Sequence, residues 1–218
     1  NATVEAIPGL VAGSADLTGN TGTKLAGQTQ QSPAEPGGRQ IYFGVREHGM
    51  GSALVGMALH GGILPVGGTF FAFLDYMRPP VRLAALSQAK ATFVFTHDSV
   101  GVGEDGPTHQ PVEQLATLRA IPDLHVIRPA DANETVAAWA DAVRHDGPTA
   151  LVLTRQNVPV ITDGSAVATG AGIVTDVAPD ELDIVLLAAG SEVSVALAAA
   201  ELLSEDGVGA RVVSIPSW

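Results

Sequence analysis

Short apolar runs alternate with longer amphipathic stretches along the chain, and this alternation predicts an α/β fold built on a parallel sheet. The run 91–96 is apolar almost throughout, which is typical of a strand buried on both faces of such a sheet. The predicted strands are 40–43, 63–66, 91–96, 124–127, 150–153, 183–188 and 211–215. The predicted helices begin at Glu47, span 70–86 and 111–119, follow Asp131, and lie between Gly190 and Gly207. Residues 10–40 contain turn-forming clusters and are predicted to be loops.

The chain divides into three segments that differ in composition and in predicted secondary structure. Residues 1–157 hold most of the predicted elements and are predicted to form one α/β domain flanked by helices. Residues 158–182 are rich in Gly, Ala, Thr and Asp and are predicted to be a linker. Residues 183–218 hold one strand–helix–strand unit, the start of an incomplete second α/β unit. Because one such unit is too small for a stable domain, we expect a segment of a longer polypeptide, a proteolysed form or one subunit of a split enzyme.

The charge balance excludes several kinds of partner. The 218 residues carry 23 acidic and 11 basic side chains, a formal net charge of −12. Nucleic acids and anionic membrane surfaces are bound by clustered cations, so we expect neither as a partner. The chain has no cysteine, which excludes disulfides, thiolate metal sites and a cysteine nucleophile. This is compatible with a reducing compartment, and we expect a cytoplasmic protein.

An uncharged stretch between His48 and Asp75 is long enough to cross a bilayer. It is interrupted by Pro65 and by the glycine pairs 61–62 and 67–68, which break a continuous helix. We therefore predict that this stretch is buried in the α/β core and does not span a membrane.

The densest group of polar side chains lies in 96–111, between a predicted buried strand and a predicted helix. Ligands bind at such strand-to-helix loops in open α/β sheets. Two histidines, His97 and His109, share this loop with several carboxylates and three glycines. Core packing does not explain that combination, although a merely solvated loop with glycine turns is the alternative.

The same loop contains the pattern G-x-G-x-x-G from Gly101 to Gly106, so a dinucleotide site is a second hypothesis. A pyrophosphate needs free backbone N–H groups at a helix N-terminus. Here Glu104 and Asp105 place two negative charges between the last two glycines, and Pro107 removes an N–H group. The charge is wrong for a pyrophosphate, which disfavours the dinucleotide hypothesis.

Two charged side chains stand at predicted element ends. Glu47 opens an apolar helix, where a carboxylate stabilises the helix N-terminus or, if buried, is placed for proton transfer. Arg155 follows the strand 150–153, where it could bind an anionic ligand or form a surface ion pair. Spacing alone leaves both pairs of interpretations open.

Phe70, Phe73 and Tyr76 are spaced to lie on one face of the predicted helix 70–86. Such a stripe is more often part of a core than of a ligand site. Phenylalanine is scarce in the chain, six in all, and half of them fall within 70–73, which favours an aromatic ligand site slightly.

Taken together, six motifs resemble the transketolase family over essentially the whole chain: its pyrimidine-binding domain and the start of its C-terminal domain. The motifs are 13–18 (GSADLT), 44–50 (GVREHGM), 69–73 (TFFAF), 97–111 (HDSVGVGEDGPTHQP), 128–131 (RPAD) and 154–157 (TRQN). Dihydroxyacetone synthase shares parts of this pattern, and deoxyxylulose-phosphate synthase shares less of it. A thiamin-dependent relative of this kind and a non-catalytic paralogous subunit are the alternatives.

The resemblance implies a thiamin-diphosphate enzyme of the pentose phosphate pathway that moves a two-carbon ketol unit from a ketose phosphate to an aldose phosphate. It implies that Glu47 hydrogen-bonds the aminopyrimidine nitrogen and so favours the imino form that deprotonates the thiazolium C2. Phe70, Phe73 and Tyr76 would hold the pyrimidine ring, and Asp16 would lie near the cofactor.

The resemblance also implies a substrate site. His97 and Arg155 would bind the substrate phosphate, Asp105 a sugar hydroxyl, and His109 the C1 hydroxyl and carbonyl region of the donor. Glu47 and His109 are therefore the expected catalytic residues.

Part of the expected active site has no counterpart in the chain. The family's Gly-Asp-Gly motif and asparagine, which bind Mg²⁺ and the diphosphate, are missing, so we expect no metal ligands here. The resemblance implies a homodimer with the active site between protomers, so this chain would supply half of a site.

Overall fold

The computed structural model describes residues 2–218 and contains two sheets flanked by helices. The helices are α1 (Ala2–Ala6), α2 (Glu47–His60), α3 (Leu74–Leu86), α4 (Gln114–Arg119), α5 (Ala132–Arg144), α6 (Ala166–Thr169) and α7 (Glu192–Glu205). The strands are β1 (Leu10–Ser14), β2 (Gln40–Tyr42), β3 (Leu64–Phe70), β4 (Thr92–Thr96), β5 (His125–Ile127), β6 (Thr149–Val152), β7 (Gly172–Thr175), β8 (Ile184–Ala188) and β9 (Ala210–Ser214). Two short 3₁₀ turns span Phe71–Phe73 and Val100–Val102.

Six strands form the larger sheet in the order β2-β1-β3-β4-β6-β5. The pairs β1/β2, β1/β3, β3/β4 and β4/β6 are all parallel, which confirms the predicted parallel α/β fold. All five residues of β4 are buried, as its unbroken apolar run predicts. The chain leaves β1 towards β2 on one side and returns to β3 on the other side. The strand order therefore reverses between β1 and β3, where open α/β sheets bind ligands.

The prediction that residues 10–40 are loops is wrong at its start. Leu10–Ser14 forms β1, which lies between β2 and β3 and pairs with both. The run is only five residues long and includes a glycine, so it gave a weak strand signal. Gly13 is buried in β1, and only glycine fits at this position, because a side chain would collide with the Phe43 ring and the Ile41 carbonyl.

The predicted helix 70–86 is also wrong in its first part. β3 continues to Phe70, a 3₁₀ turn follows, and α3 begins only at Leu74. The pair Gly67 and Gly68, interpreted from sequence as a break, lies inside the strand. Any side chain at Gly68 would collide with Thr21 and Thr23, so the glycines permit close packing and do not form a turn.

The chain divides into two compact units. One comprises residues up to His125 together with His145–Arg155, and the other comprises Val126–Arg144 and Gln156–Trp218. Within the second unit β8 and β9 are parallel around α7, as predicted, and β7 pairs antiparallel with β9. β7 falls in the stretch 158–182 that is predicted to be a linker, and the predicted domain limits stay a prediction.

A buried carboxylate pair organises the start of α5 in the second unit. The Asp131 carboxylate accepts hydrogen bonds from Glu134 N at 3.0 Å and from Thr162 N and Oγ1 at 2.7 and 2.9 Å. Glu134 in turn accepts from Ala130 N at 2.7 Å and Ser214 Oγ at 2.8 Å. The hydrogen bond from Glu134 N to the Asp131 carboxylate caps the start of α5.

The pKa values of the two carboxyls shift in opposite directions. Burial raises the pKa of Glu134, and its two hydrogen bonds only partly offset that effect. Burial also acts to raise the pKa of Asp131, but the backbone N–H groups and the Thr162 hydroxyl outweigh it and lower the pKa. Each oxygen of both carboxyls has a protein partner, which gives this pair a structural role.

The uncharged stretch from His48 to Asp75 forms α2, β3 and the start of α3. No helix between residues 2 and 218 is long and apolar enough to cross a membrane.

Two glycines of α2 give a matched pair of stability predictions. A Cβ at buried Gly51 would lie 2.7 Å from Pro80 Cγ and 2.8 Å from Met77 Cγ, whereas exposed Gly56 has nothing within 4 Å. We expect Gly51→Ala to lower the free energy of unfolding by about 1–3 kcal/mol, because it overpacks the α2/α3 contact. We expect Gly56→Ala to raise it by about 1 kcal/mol through helix propensity. Urea unfolding measures both free energies. A Gly51→Ala variant with an undiminished free energy of unfolding would contradict the close α2/α3 contact at Gly51.

Candidate active site

The predicted site residues collect at the carboxyl edge of the large sheet. Asp16 follows β1, Glu47 begins α2 after β2, and Phe70 is the last residue of β3. His97 directly follows β4, and Arg155 follows β6. Since these strands are parallel, their carboxyl ends lie at one edge. The register brings two of these strand ends side by side, because Phe70, the last residue of β3, pairs with Thr96, the last residue of β4.

Two of these residues have a left-handed backbone that side chains rarely adopt. The φ angle is 67° at Asp16 and 63° at His97, each within two residues of a strand end. Such conformations cost free energy and persist where the surrounding structure enforces them, often at functional sites. At Asp16 the enforcing group is Ser14, whose hydroxyl donates to Gly68 O at 2.7 Å and accepts from Leu17 N at 3.0 Å.

Ser14 is a contributor that the sequence did not reveal. It is fully buried and ties the turn that carries Asp16 to the neighbouring strand β3. The available signal was a serine two residues before an aspartate at the end of an apolar run, which is too common a pattern to be specific.

The three predicted aromatics and the two loop histidines form one cluster of rings. Phe70 stacks against His97 with ring centroids 3.8 Å apart, and Phe73 stands edge-on to His109 at 5.3 Å. Phe70 and Phe73 are 6.1 Å apart, and Phe73 and Tyr76 are 6.2 Å apart. The stripe is therefore continuous, although its members belong to β3, a 3₁₀ turn and α3 and not to one helix as predicted. Tyr76 is 63% exposed and leaves one side of the stripe open.

His97 connects this cluster to the charged side chains. Burial lowers the pKa of His97, and the positive charge of Arg155 lowers it further. Asp105 and Asp98 act in the opposite direction, and His109 adds to the lowering. His97 is thus within electrostatic range of the other three residues predicted to bind substrate, Arg155, Asp105 and His109. The lowered pKa makes the His97 ring neutral near pH 7.

Glu47 is buried at the first position of α2, with 8% of its surface exposed. Its carboxylate makes no hydrogen bond or ion pair with residues 2–218, and the helix begins at Arg46 without a side-chain cap. The residue is buried, but its carboxylate oxygens still reach solvent and so are open to a ligand. This fits a cofactor that donates a hydrogen bond, and the ring cluster at the same edge of the sheet fits a flat aromatic group.

Further buried hydroxyls near this edge lack a hydrogen-bond partner in the described part of the chain. They are Thr69 Oγ1 at the end of β3, Ser99 Oγ after β4 and Thr154 Oγ1 after β6. Most buried polar atoms in folded proteins are paired, so such orphaned groups need a specific explanation. Three of them at the carboxyl ends of adjacent strands are consistent with a polar ligand at this edge.

The loop with the G-x-G-x-x-G pattern does not have the shape of a dinucleotide site. Gly103 and Asp105 are exposed, and α4 begins only at Gln114, well beyond Gly106. The glycines therefore do not open a helix whose N-terminus could bind a pyrophosphate. This removes the structural context that the dinucleotide hypothesis requires.

The residues described here do not form a metal site. Between residues 2 and 218, no group of three or more histidine, aspartate or glutamate side chains is arranged to hold a metal ion.

Arg155 is exposed and free to approach an anionic ligand by movement of its side chain.

Family models match both parts of the chain. Residues 1–160 match the model described as "Transketolase, pyrimidine binding domain", and residues 170–218 match "Transketolase-like TK C-terminal domain". A transketolase from Halalkalibacterium halodurans is 53% identical over 224 aligned residues, which cover 100% of this chain and 34% of that protein. The chain thus spans about a third of the length of the curated relatives it matches.

Solved structures agree with the sequence matches. The transketolase from Leishmania mexicana superposes with a TM-score of 0.93 at 50% identity, over 98% of this chain and 32% of that one. The transketolase of Pichia stipitis, solved in complex with sedoheptulose-7-phosphate, gives a TM-score of 0.92 at 44% identity, over 98% and 33%. These matches confirm the resemblance seen in the sequence motifs.

The lowered pKa of His97 predicts a pH dependence of stability. In the unfolded chain His97 takes up a proton near its ordinary pKa of about 6.5, whereas in the folded chain it does so only at lower pH. Between these two values the unfolded state binds more protons, so the free energy of unfolding falls as the pH falls. We expect His97→Gln to weaken this loss of stability. Urea unfolding between about pH 5 and 8 measures it, and parallel profiles for the two proteins would contradict the burial of a neutral His97.

Proposed function

The chain belongs to the transketolase family, and on that premise we propose that it is the part of a transketolase that holds the aminopyrimidine ring of thiamin diphosphate and much of the substrate site. The reaction is the reversible transfer of a two-carbon ketol unit from a ketose phosphate to an aldose phosphate. The observation that carries the proposal is the ring cluster of Phe70, Phe73, His97 and His109 at the carboxyl edge of the parallel sheet. Arg155 and Asp105 lie within electrostatic range of His97 in that cluster.

The cofactor supplies, when bound, a thiazolium carbon that acts as the nucleophile. The contribution of this chain is to bind and orient its other ring. Phe70 and Phe73 offer stacked aromatic faces 6.1 Å apart, and Tyr76 extends that surface. Glu47 hydrogen-bonds the aminopyrimidine nitrogen and holds a proton there. Asp16 lies near the cofactor on the neighbouring strand end.

The chain also recognises the sugar phosphate by charge and by directed hydrogen bonds. Arg155 supplies a permanent positive charge for the phosphate, and neutral His97 supplies one N–H donor beside it. Asp105 accepts a hydrogen bond from a sugar hydroxyl. His109 contacts the C1 hydroxyl and carbonyl region of the donor, and its ring is kept in place by Phe70 and Phe73.

The rest of the active site lies outside this chain. Magnesium and the diphosphate bind to a domain of the enzyme that this chain does not contain. The active site is completed by a second protomer in a homodimer. The enzyme works in the pentose phosphate pathway and in the cytoplasm.

Glu47→Gln tests the cofactor side of the proposal. The amide is nearly isosteric with the carboxylate but cannot hold the proton in the same way, so we expect kcat of the enzyme containing this chain to fall about 10²–10⁴-fold. Thermal unfolding should be unchanged. Glu201→Gln is the control, because Glu201 is an exposed glutamate on a helix, α7, of the other compact unit. Wild-type kcat in Glu47→Gln would leave Glu47 as a helix-start residue only.

Arg155→Ala tests the phosphate side. A hydrogen bond to a charged group contributes about 1.5–3 kcal/mol, so kcat/KM for a ketose phosphate should fall about 10- to 100-fold. The loss should appear mainly in KM, because the phosphate is remote from the bond that breaks. Hydroxypyruvate has no phosphate, so kcat/KM for this donor should be nearly unchanged. His97→Ala should show the same selectivity. Equal losses on both donors would mean that these residues support the fold or the cofactor and not the phosphate.

A further inference from the structure

Both histidines of the candidate site have the same local arrangement. His97 Nδ1 lies 2.9 Å from the hydroxyl of Thr96, and His109 Nδ1 lies 2.9 Å from the hydroxyl of Thr108. In each case the partner is the threonine that directly precedes the histidine. The first contact is buried and the second is exposed, so the first is better protected from competition by water.

We propose that Thr96 is a positioning residue whose hydroxyl, hydrogen-bonded to Nδ1 of His97, holds the imidazole ring so that Nε2 is the nitrogen presented to the substrate phosphate. This inference rests on the proposed function of His97 as a phosphate ligand. It adds a residue that makes no contact with the substrate itself.

The hydroxyl suits the form of the ring that a phosphate needs. A phosphate oxygen accepts hydrogen bonds, so Nε2 must carry a proton to bind it. Nδ1 of a neutral ring is then an acceptor, and the Thr96 hydroxyl can donate to it. Without that hydroxyl, Nδ1 would be a buried acceptor with no partner, which costs free energy.

The ring cannot readily turn to exchange its two nitrogens. Phe70 stacks on it at a centroid distance of 3.8 Å and an interplanar angle of 30°. The backbone at His97 is held in the left-handed region, with φ at 63°. Thr96 is the last residue of β4 and is 6% exposed, so its side chain is held by the sheet. With Nδ1 bound to Thr96, Nε2 is the nitrogen left for a ligand.

Three variants separate a positioning role from a structural one. Thr96→Val removes the hydroxyl and keeps the shape of the side chain in a strand that favours β-branched residues. Thr96→Ser restores the hydroxyl. Thr149→Val is the matched control, because Thr149 is a fully buried threonine of the same sheet, at the start of β6, whose hydroxyl has no partner among the described residues.

The enzyme containing this chain is assayed with a ketose phosphate and with hydroxypyruvate. We expect Thr96→Val to lower kcat/KM for the ketose phosphate about three- to tenfold, mainly through KM, with little change for hydroxypyruvate. Thr96→Ser should recover most of the loss, and Thr149→Val should match the wild type. Equal losses on both donors, or no loss in a folded Thr96→Val variant, would overturn the proposal.

The protonated nitrogen is read directly by nitrogen NMR of the imidazole in the enzyme containing this chain, with a ketose phosphate bound. We expect the proton of His97 on Nε2 in the wild type and in Thr96→Ser. A wild-type ring with its proton on Nδ1 would overturn the proposal. The His97→Ala assay keeps the two hypotheses apart: if His97→Ala is selective for phosphorylated donors and Thr96→Val is not, the phosphate site stands and the role of Thr96 fails.

Discussion

Parallel pairing of the central strands is the constraint on which the rest of the structure depends. Because β1, β3, β4 and β6 run in one direction, everything that follows their carboxyl ends meets at one edge of the sheet. Residues as distant in sequence as Asp16 and Arg155 thereby reach a common edge. The tight packing that holds the strands together allows no side chain at Gly13 or Gly68, and it leaves strained backbone at Asp16 and His97.

The polar groups buried in the chain fall into two kinds. At the start of α5, each carboxyl oxygen of Asp131 and Glu134 accepts a hydrogen bond from the protein, as a structural group requires. At the carboxyl edge of the large sheet, Glu47 has no partner within residues 2–218, and the hydroxyl of Thr69 is also unpaired. The protein itself satisfies the carboxyl pair of α5, whereas Glu47 at the carboxyl edge is open to a partner that the described residues do not supply.

The sequence predicted most of the architecture because long periodic segments and unbroken apolar runs were present. The strands around 91–96 and 150–153 and the helix at Glu47 were found within a few residues of their observed limits. The sequence does not predict β1, because this strand is short and contains a glycine. It predicts an end of β3 that is too early, because Gly67 and Gly68 are typical of a turn. In both strands glycine serves close packing, which depends on neighbours that are remote in sequence.

The candidate site was predictable to a different extent. The clustered loop 96–111 and the motif at Glu47 indicated the residues, and the family resemblance supplied their expected roles. The contact between Phe70 and His97 and the hydrogen bond from Ser14 to Gly68 could not be predicted, because both depend on the register between strands. The threonine beside each histidine was visible in the sequence, but its significance depends on the side-chain geometry.

The most direct test of the account is a crystal structure of the enzyme containing this chain with thiamin diphosphate and a ketose phosphate bound. The account predicts the aminopyrimidine ring against Phe70 and Phe73, with a ring nitrogen within hydrogen-bond distance of Glu47. It predicts the phosphate within hydrogen-bond distance of His97 Nε2 and of the Arg155 guanidinium, about 2.7–3.2 Å. A cofactor ring bound away from Glu47, or a phosphate held by other residues with His97 and Arg155 unoccupied, would contradict it.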